Sequence, residues 1–100
     1  MSISYTALEE KAVELRKTVL TMIYKAQSGH PGGSLSAADI MAALYFHVMN
    51  VDPENPKWED RDRFVLSKGH VCPVLYSALI MRGFIDQSAV DTLRKHGSLL

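Results

Sequence analysis

The chain has 100 residues, with 11 acidic and 11 basic side chains and one cysteine. This length leaves room for at most one domain, and a zero net charge argues against a general nucleic-acid or membrane-surface binder. One cysteine excludes an intrachain disulfide. The longest apolar run, residues 40–46, is far shorter than the roughly 20 residues that cross a bilayer. The N-terminus lacks the basic and apolar regions of a secretory signal, so we expect a cytoplasmic protein without nucleic-acid or membrane partners.

The first segment, from about Thr6 to Gln27, predicts an amphipathic helix. Apolar residues recur there at three- and four-residue spacing, namely Leu8, Ala12, Leu15, Val19, Ile23 and Ala26. Thr6 and Glu9 have the spacing of a capping box, in which each side chain accepts a hydrogen bond from a free backbone N–H. Gly29 indicates the end of the helix, because glycine adopts the left-handed conformation without a Cβ clash.

The next segment is rich in residues that interrupt helices. Residues 29–34, Gly-His-Pro-Gly-Gly-Ser, contain three glycines and one proline, and we expect them to form a turn. Proline also disfavours the helical conformation for the residue before it, His30. The second helix is therefore expected to begin near Ser36, with this residue as its N-cap, and to end by Asn50.

A loop and one strand are predicted in the middle of the chain. Residues 51–62 are expected to form a loop, because Pro53 and Pro56 exclude a helix across them. Residues 63–67 predict a short strand, since their centre, residues 64–66, is a continuous apolar run typical of a strand buried on both faces.

Two more helices are predicted toward the C-terminus. The first covers about residues 72–82, with Pro73 tolerated in its first turn and Gly83 as its stop signal. The second covers about residues 87–95, and Asp86 is placed to cap it.

The predicted strand decides the fold class. A single strand is not a sheet, and this chain offers no other convincing strand. We therefore expect an α/β fold that is mostly helical over this stretch, with one clear short strand, and that is completed by residues or a partner outside the chain. The alternative is a small all-helical domain in which residues 64–66 lie in an extended loop.

Two Gly-His turns are the candidate sites for chemistry. His30 and His70 each follow a glycine between regular elements, where a side chain points into a cleft at the ends of those elements. A helix N-terminus and an imidazole both supply N–H donors that suit an anion. Histidine also titrates near neutral pH, so it can move a proton. From spacing alone, two ordinary turn histidines remain the open alternative.

The other candidates are weaker. His47 lies within a predicted helix and His96 at a helix end, where packing or a charge–dipole role explains them. His70 and Cys72 make only two potential metal ligands, and no spacing fits a zinc site, so no metal site is predicted. Serines flank His30 at positions 28, 34 and 36, but no third group is positioned to complete a hydrolase triad.

Longer motifs in the chain resemble a known family. Residues 28–40, Ser-Gly-His-Pro-Gly-Gly-Ser-Leu-Ser-Ala-Ala-Asp-Ile, resemble the first signature of the transketolase family. Residues 60–70, Asp-Arg-Asp-Arg-Phe-Val-Leu-Ser-Lys-Gly-His, resemble its second signature, together with Asn55-Pro56 and Trp58 upstream. The resemblance covers nearly the whole chain and is greatest to the N-terminal section of split bacterial and archaeal transketolases.

The resemblance implies a thiamine diphosphate-binding fold with a parallel sheet between helices, of which residues 1–100 form part. It implies transfer of a two-carbon ketol unit between sugar phosphates, with thiamine diphosphate and magnesium as cofactors. His30 matches the family histidine that lies beside cofactor and substrate and helps proton transfer, so the implied catalytic residue is His30. His70 matches the histidine that contacts the cofactor near its diphosphate, so the implied cofactor-binding residue is His70.

Several family motifs are not found within these residues. The Gly-Asp-Gly…Asn motif that holds the divalent cation is missing, as is the second module with the glutamate that activates the cofactor. A further Gly-His-Pro is expected directly beyond residue 100. We therefore expect magnesium ligands outside this chain, a partner that is a C-terminal transketolase section or subunit, homodimerisation of the complete enzyme, and no activity of the 100 residues alone.

Two other functions remain alternatives. The first is a related thiamine diphosphate enzyme such as 1-deoxyxylulose-5-phosphate synthase, although Pro31-Gly32-Gly33 after the first histidine favours transketolase. The second is a non-catalytic remnant or assembly module that binds a partner through an exposed strand edge.

Overall fold

The elements of the chain are helices in the computed structural model, which describes residues 4–27, 29, 31–67 and 69–93, with the backbone alone for residue 70. The three α-helices are α1 (Tyr5–Ala26), α2 (Pro31–Ala43) and α3 (Cys72–Arg82). A π-helical turn, Leu44–Val48, follows α2. One 3₁₀ helix, Gly69–Val71, lies before α3, and another, Gln87–Thr92, lies after it. None of these helices combines the length and apolar character needed to cross a membrane.

Helix α1 forms where its apolar periodicity predicts it. Its N-cap is Ser4, whose Oγ accepts a hydrogen bond from the Ala7 N–H at 3.1 Å, so the predicted cap at Thr6 is wrong by two residues. At the other end Gln27 adopts the left-handed conformation with φ of 52°, and its N–H is directed at the Ile23 and Tyr24 carbonyls. Gly29, which was predicted to end the helix, follows with φ of 131°.

The main core lies where α1, α2, α3 and the π-helical turn meet. Small side chains on α2 and α3 allow the backbones to approach, and the buried members of this core are Ala12, Leu15, Val19, Ala38, Met41, Ala42, Tyr45, Val74 and Ala78. A second cluster packs the C-terminal 3₁₀ helix against α1 and α3 and comprises Met22, Ile80, Ala89, Val90 and Leu93. Complete burial of each large side chain among them contributes about 1.5–3 kcal/mol.

The start of α2 corrects the prediction that the second helix begins near Ser36. The helix begins at Pro31 and includes Gly32 and Gly33, and the Ser36 hydroxyl donates to the Gly33 carbonyl at 3.0 Å instead of capping the helix. Proline suits the first helical position, because an N–H there would have no acceptor within the helix and its absence costs no hydrogen bond. Glycine is a weak helix former, and packing of α2 against α1 and α3 stabilises the helix that includes these two glycines.

The predicted fold class is wrong for the described residues, which form helices and loops with no β-strand. The short strand expected at residues 63–67 is absent, because no other described segment offers it a strand with which to pair. Its burial is also one-sided: Val65 is 86% exposed, whereas Phe64 packs edge-on against Tyr45 with ring centroids 6.1 Å apart. The all-helical alternative with a loop at residues 64–66 matches this part of the chain.

The predicted loop lies between the π-helical turn and the 3₁₀ helix before α3. Its ends meet where the Asn50 N–H donates to Asp62 Oδ2 at 2.6 Å and the Asp62 N–H donates to the Asn50 carbonyl at 2.9 Å. Arg82 connects the loop to α3, since its guanidinium donates to the Tyr45 carbonyl at 3.0 Å and to the Val51 carbonyl at 3.4 Å.

The C-terminal predictions hold in part. Helix α3 ends at Arg82, and Gly83 follows as its C-cap with a φ of 101°, as predicted. Asp86 caps the last helix, with Oδ2 accepting from the Ser88 N–H at 2.9 Å, but that helix is a 3₁₀ helix ending at Thr92. The rest of the predicted segment, residues 94–95, lies outside the described residues.

Candidate functional site

The two predicted histidines differ in how much of their surroundings is described. His30 lies outside the described residues, but its chain neighbours Gly29 and Pro31 are described, and Pro31 opens α2. His70 lies in the 3₁₀ helix Gly69–Val71, and its side chain is outside the description. The site is therefore built from the first turn of α2 and the turn that leads into α3.

A buried hydrogen bond joins these two places. Ser34, in the first turn of α2, is completely buried, and its Oγ donates to the Val71 carbonyl at 3.2 Å across 37 positions of sequence. Val71 is the N-cap residue of α3. The starts of α2 and α3 are thus neighbours in space, and two motifs that are far apart in the sequence meet at one place.

The two helix starts combine backbone N–H groups with an absence of acidic side chains, although Pro31 and Pro73 supply no N–H of their own. The first N–H groups of a helix have no intrahelical partner, and they carry the positive end of the helix dipole. Neither α2 nor α3 has an acidic residue in its first turn. A Cβ on Gly32 or on Gly69 would meet no atom within 4 Å, so space is open beside both residues. This arrangement suits an anionic group such as a phosphate.

A metal site is not evident in the described part of the chain. No group of three or more histidine, cysteine, aspartate or glutamate side chains is placed there to hold a metal ion. Cys72 is a free, half-buried cysteine at the start of α3. His47 is exposed on the π-helical turn, and His96 lies outside the described residues.

The clearly shifted pKa values lie elsewhere in the described structure. Burial in the main core raises the pKa of Tyr45. Hydrogen bonds from the hydroxyl and the N–H of Ser88 hold the pKa of Asp86 below its usual value. These pKa shifts belong to the core and to a helix cap and not to the candidate site. The features of the candidate site are its backbone geometry and the absence of acidic residues from the first turns of α2 and α3.

Ser34 is the site residue whose structural role sequence reasoning missed. In the sequence Ser34 lies near His30 and within the motif of residues 28–40, and neither position by itself indicates a buried side chain. The signal for its burial is its spacing: it precedes the buried residues Ala38, Met41 and Tyr45 by four, seven and eleven positions. This spacing becomes visible only if the helix is allowed to begin at Pro31.

The sequence of the chain is similar to those of known proteins. Residues 8–99 match the family model described as transketolase, thiamine diphosphate binding domain. The chain is 47% identical over 100 residues to the 6-deoxy-6-sulfo-D-fructose transketolase subunit SqwG of Clostridium sp. (strain MSTE9), covering all of this chain and 36% of that protein. It is 46% identical over 93 residues to an apulose-4-phosphate transketolase subunit of Phocaeicola vulgatus, covering 93% of this chain and 33% of that protein.

A solved structure agrees as well. Transketolase from Leishmania mexicana superposes with a TM-score of 0.88 at 33% sequence identity, over 98% of this chain and 14% of that chain. The chain therefore spans only part of the length of its relatives, about a third of each of the two bacterial proteins. The matched residues include both Gly-His turns and both helix starts. On this agreement of sequence and fold, the chain belongs to the transketolase thiamine diphosphate-binding domain family.

Proposed function

We propose that residues 1–100 are part of the diphosphate-binding domain of a transketolase, which transfers a two-carbon ketol unit between sugar phosphates. The observation that carries this proposal is the hydrogen bond from Ser34 to Val71. It joins the two helix starts that follow the histidine motifs, and both motifs lie within the residues that match the family.

The described residues fit the diphosphate of thiamine diphosphate. Pro31 has no N–H, so the donors proposed for the diphosphate oxygens in the first turn of α2 are the N–H groups of Gly32 and Gly33, and no acidic side chain in the first turn of either helix repels the diphosphate. His70 is the residue proposed to add an imidazole N–H donor to the diphosphate. When bound, thiamine diphosphate supplies the electron sink for breaking the carbon–carbon bond of the donor ketose.

His30 is the proposed proton-transfer residue. An imidazole titrates near neutral pH, so it can take a proton from a substrate hydroxyl or return one to a substrate oxygen. On either side of it, Gly29 has a φ of 131° and Pro31 has the restricted φ of its ring. A proline also disfavours the helical conformation for the residue that precedes it in the sequence.

Magnesium and partner sections complete the proposed enzyme. The magnesium ligands are proposed to lie beyond these 100 residues, in a C-terminal section or subunit, and the complete enzyme is proposed to be a homodimer. The names of two relatives support a divided transketolase, because each is described as a transketolase subunit.

The first test compares the chain alone with the completed protein, meaning this chain together with the remaining transketolase sections. Two-carbon transfer from a ketose phosphate to an aldose phosphate is followed with thiamine diphosphate and magnesium present. We expect turnover by the completed protein and none by the 100-residue chain. Turnover by the chain alone, or none by the completed protein, contradicts the proposal.

The second test separates the two kinds of histidine. His70→Ala in the completed protein is expected to raise the dissociation constant for thiamine diphosphate by about tenfold or more, because a hydrogen bond to a charged group contributes roughly 1.5–3 kcal/mol. His47→Ala is the matched control, since His47 is exposed on the π-helical turn. Calorimetric titration with thiamine diphosphate and magnesium measures both. Equal effects of the two substitutions contradict the assigned role of His70.

A further inference from the structure

Two serines are completely buried among the described residues, and they differ in one respect. Ser34 lies in the first turn of α2, and Ser77 lies within α3. The Ser34 hydroxyl donates to the Val71 carbonyl, whereas the Ser77 hydroxyl has no hydrogen-bond partner in the described structure. Burying a hydroxyl without a hydrogen-bond partner is unfavourable. The hydrogen bond therefore compensates for the burial of Ser34, and no such bond compensates for the burial of Ser77 in the described structure.

The acceptor of this hydrogen bond, the Val71 carbonyl, lies at the junction of the 3₁₀ helix and α3. Val71 is both the last residue of the 3₁₀ helix and the N-cap of α3, and its side chain makes no capping hydrogen bond. The Val71 side chain is buried in the core. Packing therefore fixes one side of the turn, and the Ser34 hydroxyl fixes the orientation of the carbonyl next to His70.

The surface beside this hydrogen bond is open. Added Cβ atoms at Gly32 and Gly69 would have no neighbour within 4 Å. Ser34 itself is 0% exposed, so it does not reach a ligand in that space. Any influence of Ser34 on a ligand must act through the backbone that it holds.

We infer that Ser34 is a positioning residue for thiamine diphosphate, because it holds the turn Gly69–Val71, and with it the backbone of His70, against the first turn of α2. This inference rests on the proposed function. A small displacement of a binding group is enough to weaken a ligand contact. Loss of the Ser34 hydroxyl therefore acts on cofactor affinity, while the bound cofactor retains every group that contacts it.

The test pairs Ser34→Ala with Ser77→Ala in the completed protein. Each substitution removes one fully buried hydroxyl, but only Ser34→Ala removes a hydrogen bond. We expect Ser34→Ala to weaken binding of thiamine diphosphate with magnesium by about three- to tenfold, which corresponds to one neutral hydrogen bond. The turnover number at saturating cofactor should stay within about twofold of wild type. Ser77→Ala should leave the affinity unchanged.

Two further measurements keep the test independent of activity. Ser34→Cys retains a weak donor of similar size, and its affinity should fall between those of wild type and Ser34→Ala. Hydrogen–deuterium exchange of the backbone at residues 69–75 should be faster in Ser34→Ala than in Ser77→Ala, because the turn loses its connection to α2.

The outcomes separate this inference from the proposed function. If His70→Ala weakens cofactor binding while Ser34→Ala binds like wild type or like Ser77→Ala, the inference is wrong and the proposed function stands. If the wild-type completed protein binds no thiamine diphosphate, both are wrong. Unchanged exchange at residues 69–75 in Ser34→Ala also contradicts the inference, whatever the affinity.

Discussion

Helix α1 and the segment from Asn50 to Ser67 are stabilised by different interactions. The apolar face of α1 is buried within the chain, against α2 and α3, and four of its residues are buried, namely Ala12, Leu15, Val19 and Met22. The later segment is mostly exposed and depends on short-range hydrogen bonds, of which the pair between Asn50 and Asp62 is the clearest.

The difference shows when a local pattern determines a structure. The pattern of α1 has its packing partners within the described residues, so periodicity predicts the presence of the helix and three of its four buried residues. Met22 is the fourth, and the predicted apolar face does not include it. The apolar run at residues 64–66 has no strand partner there, so in this segment the local pattern predicts the wrong element. Four substitutions test this contrast, beginning with the largest expected effect.

Leu15→Ala tests how much the buried face of α1 contributes to the stability of the fold. Leu15 is completely buried where α1 meets the main core, and deleting a buried leucine side chain costs about 2–5 kcal/mol of unfolding free energy. Urea denaturation of the chain, followed by circular dichroism, measures the loss. Leu20→Ala is the matched control, because Leu20 lies on the same helix but is 48% exposed. Similar losses from both substitutions would show that the core is not where the structure places it.

Asp62→Ala tests the hydrogen-bonded side of the comparison. The substitution removes the acceptor of the Asn50 N–H but leaves the backbone hydrogen bond from the Asp62 N–H to the Asn50 carbonyl. We expect a loss of about 1 kcal/mol, the usual contribution of one hydrogen bond, in the same denaturation measurement. Asp60→Ala, another exposed aspartate of this segment, should change the unfolding free energy by less than about 0.5 kcal/mol. A larger effect at Asp60 would contradict the assigned role of Asp62.

Ser77→Ala sharpens the comparison within the core. The Ser77 hydroxyl is buried without a hydrogen-bond partner in the described structure, so its removal relieves a desolvation cost. We expect the unfolding free energy to stay unchanged or to rise by up to about 1 kcal/mol. A clear loss of stability would mean that the hydroxyl has a partner in solution.

Val65→Ser should have the smallest effect. Val65 is 86% exposed, and surface substitutions of this kind change the unfolding free energy by less than about 0.5 kcal/mol. Phe64→Ser is the matched control and should cost more, because the Phe64 ring packs against Tyr45. A strand buried on both faces would make the two substitutions equally costly, so similar losses would contradict the loop assignment.

The errors in the fold prediction have a common physical origin. Local rules predicted a turn over Pro31, Gly32 and Gly33, but packing of α2 against α1 and α3 extends the helix through them. The same local rules succeeded where the signal lies within the element, as at Gly83 with its φ of 101° and at Asp86 with its capping hydrogen bond.

The motifs indicate the two candidate histidines but not the contact between the two segments that carry them. His30 and His70 are proposed as site residues from their Gly-His motifs, and the roles proposed for them come from the resemblance to a family. The connection between the two turns was not predicted, because it depends on a hydrogen bond between Ser34 and Val71, which are 37 positions apart. No local pattern specifies which buried side chain meets which distant carbonyl.

The most direct test of the central claim is the rate of two-carbon transfer by the completed protein carrying His30→Ala, measured at saturating thiamine diphosphate and magnesium. A proton-transfer residue contributes roughly 100-fold or more to a rate. The account predicts a loss of at least about that size, with the circular dichroism spectrum and the cofactor affinity close to those of wild type. A rate within a few-fold of wild type would contradict the assignment of His30 as the catalytic residue.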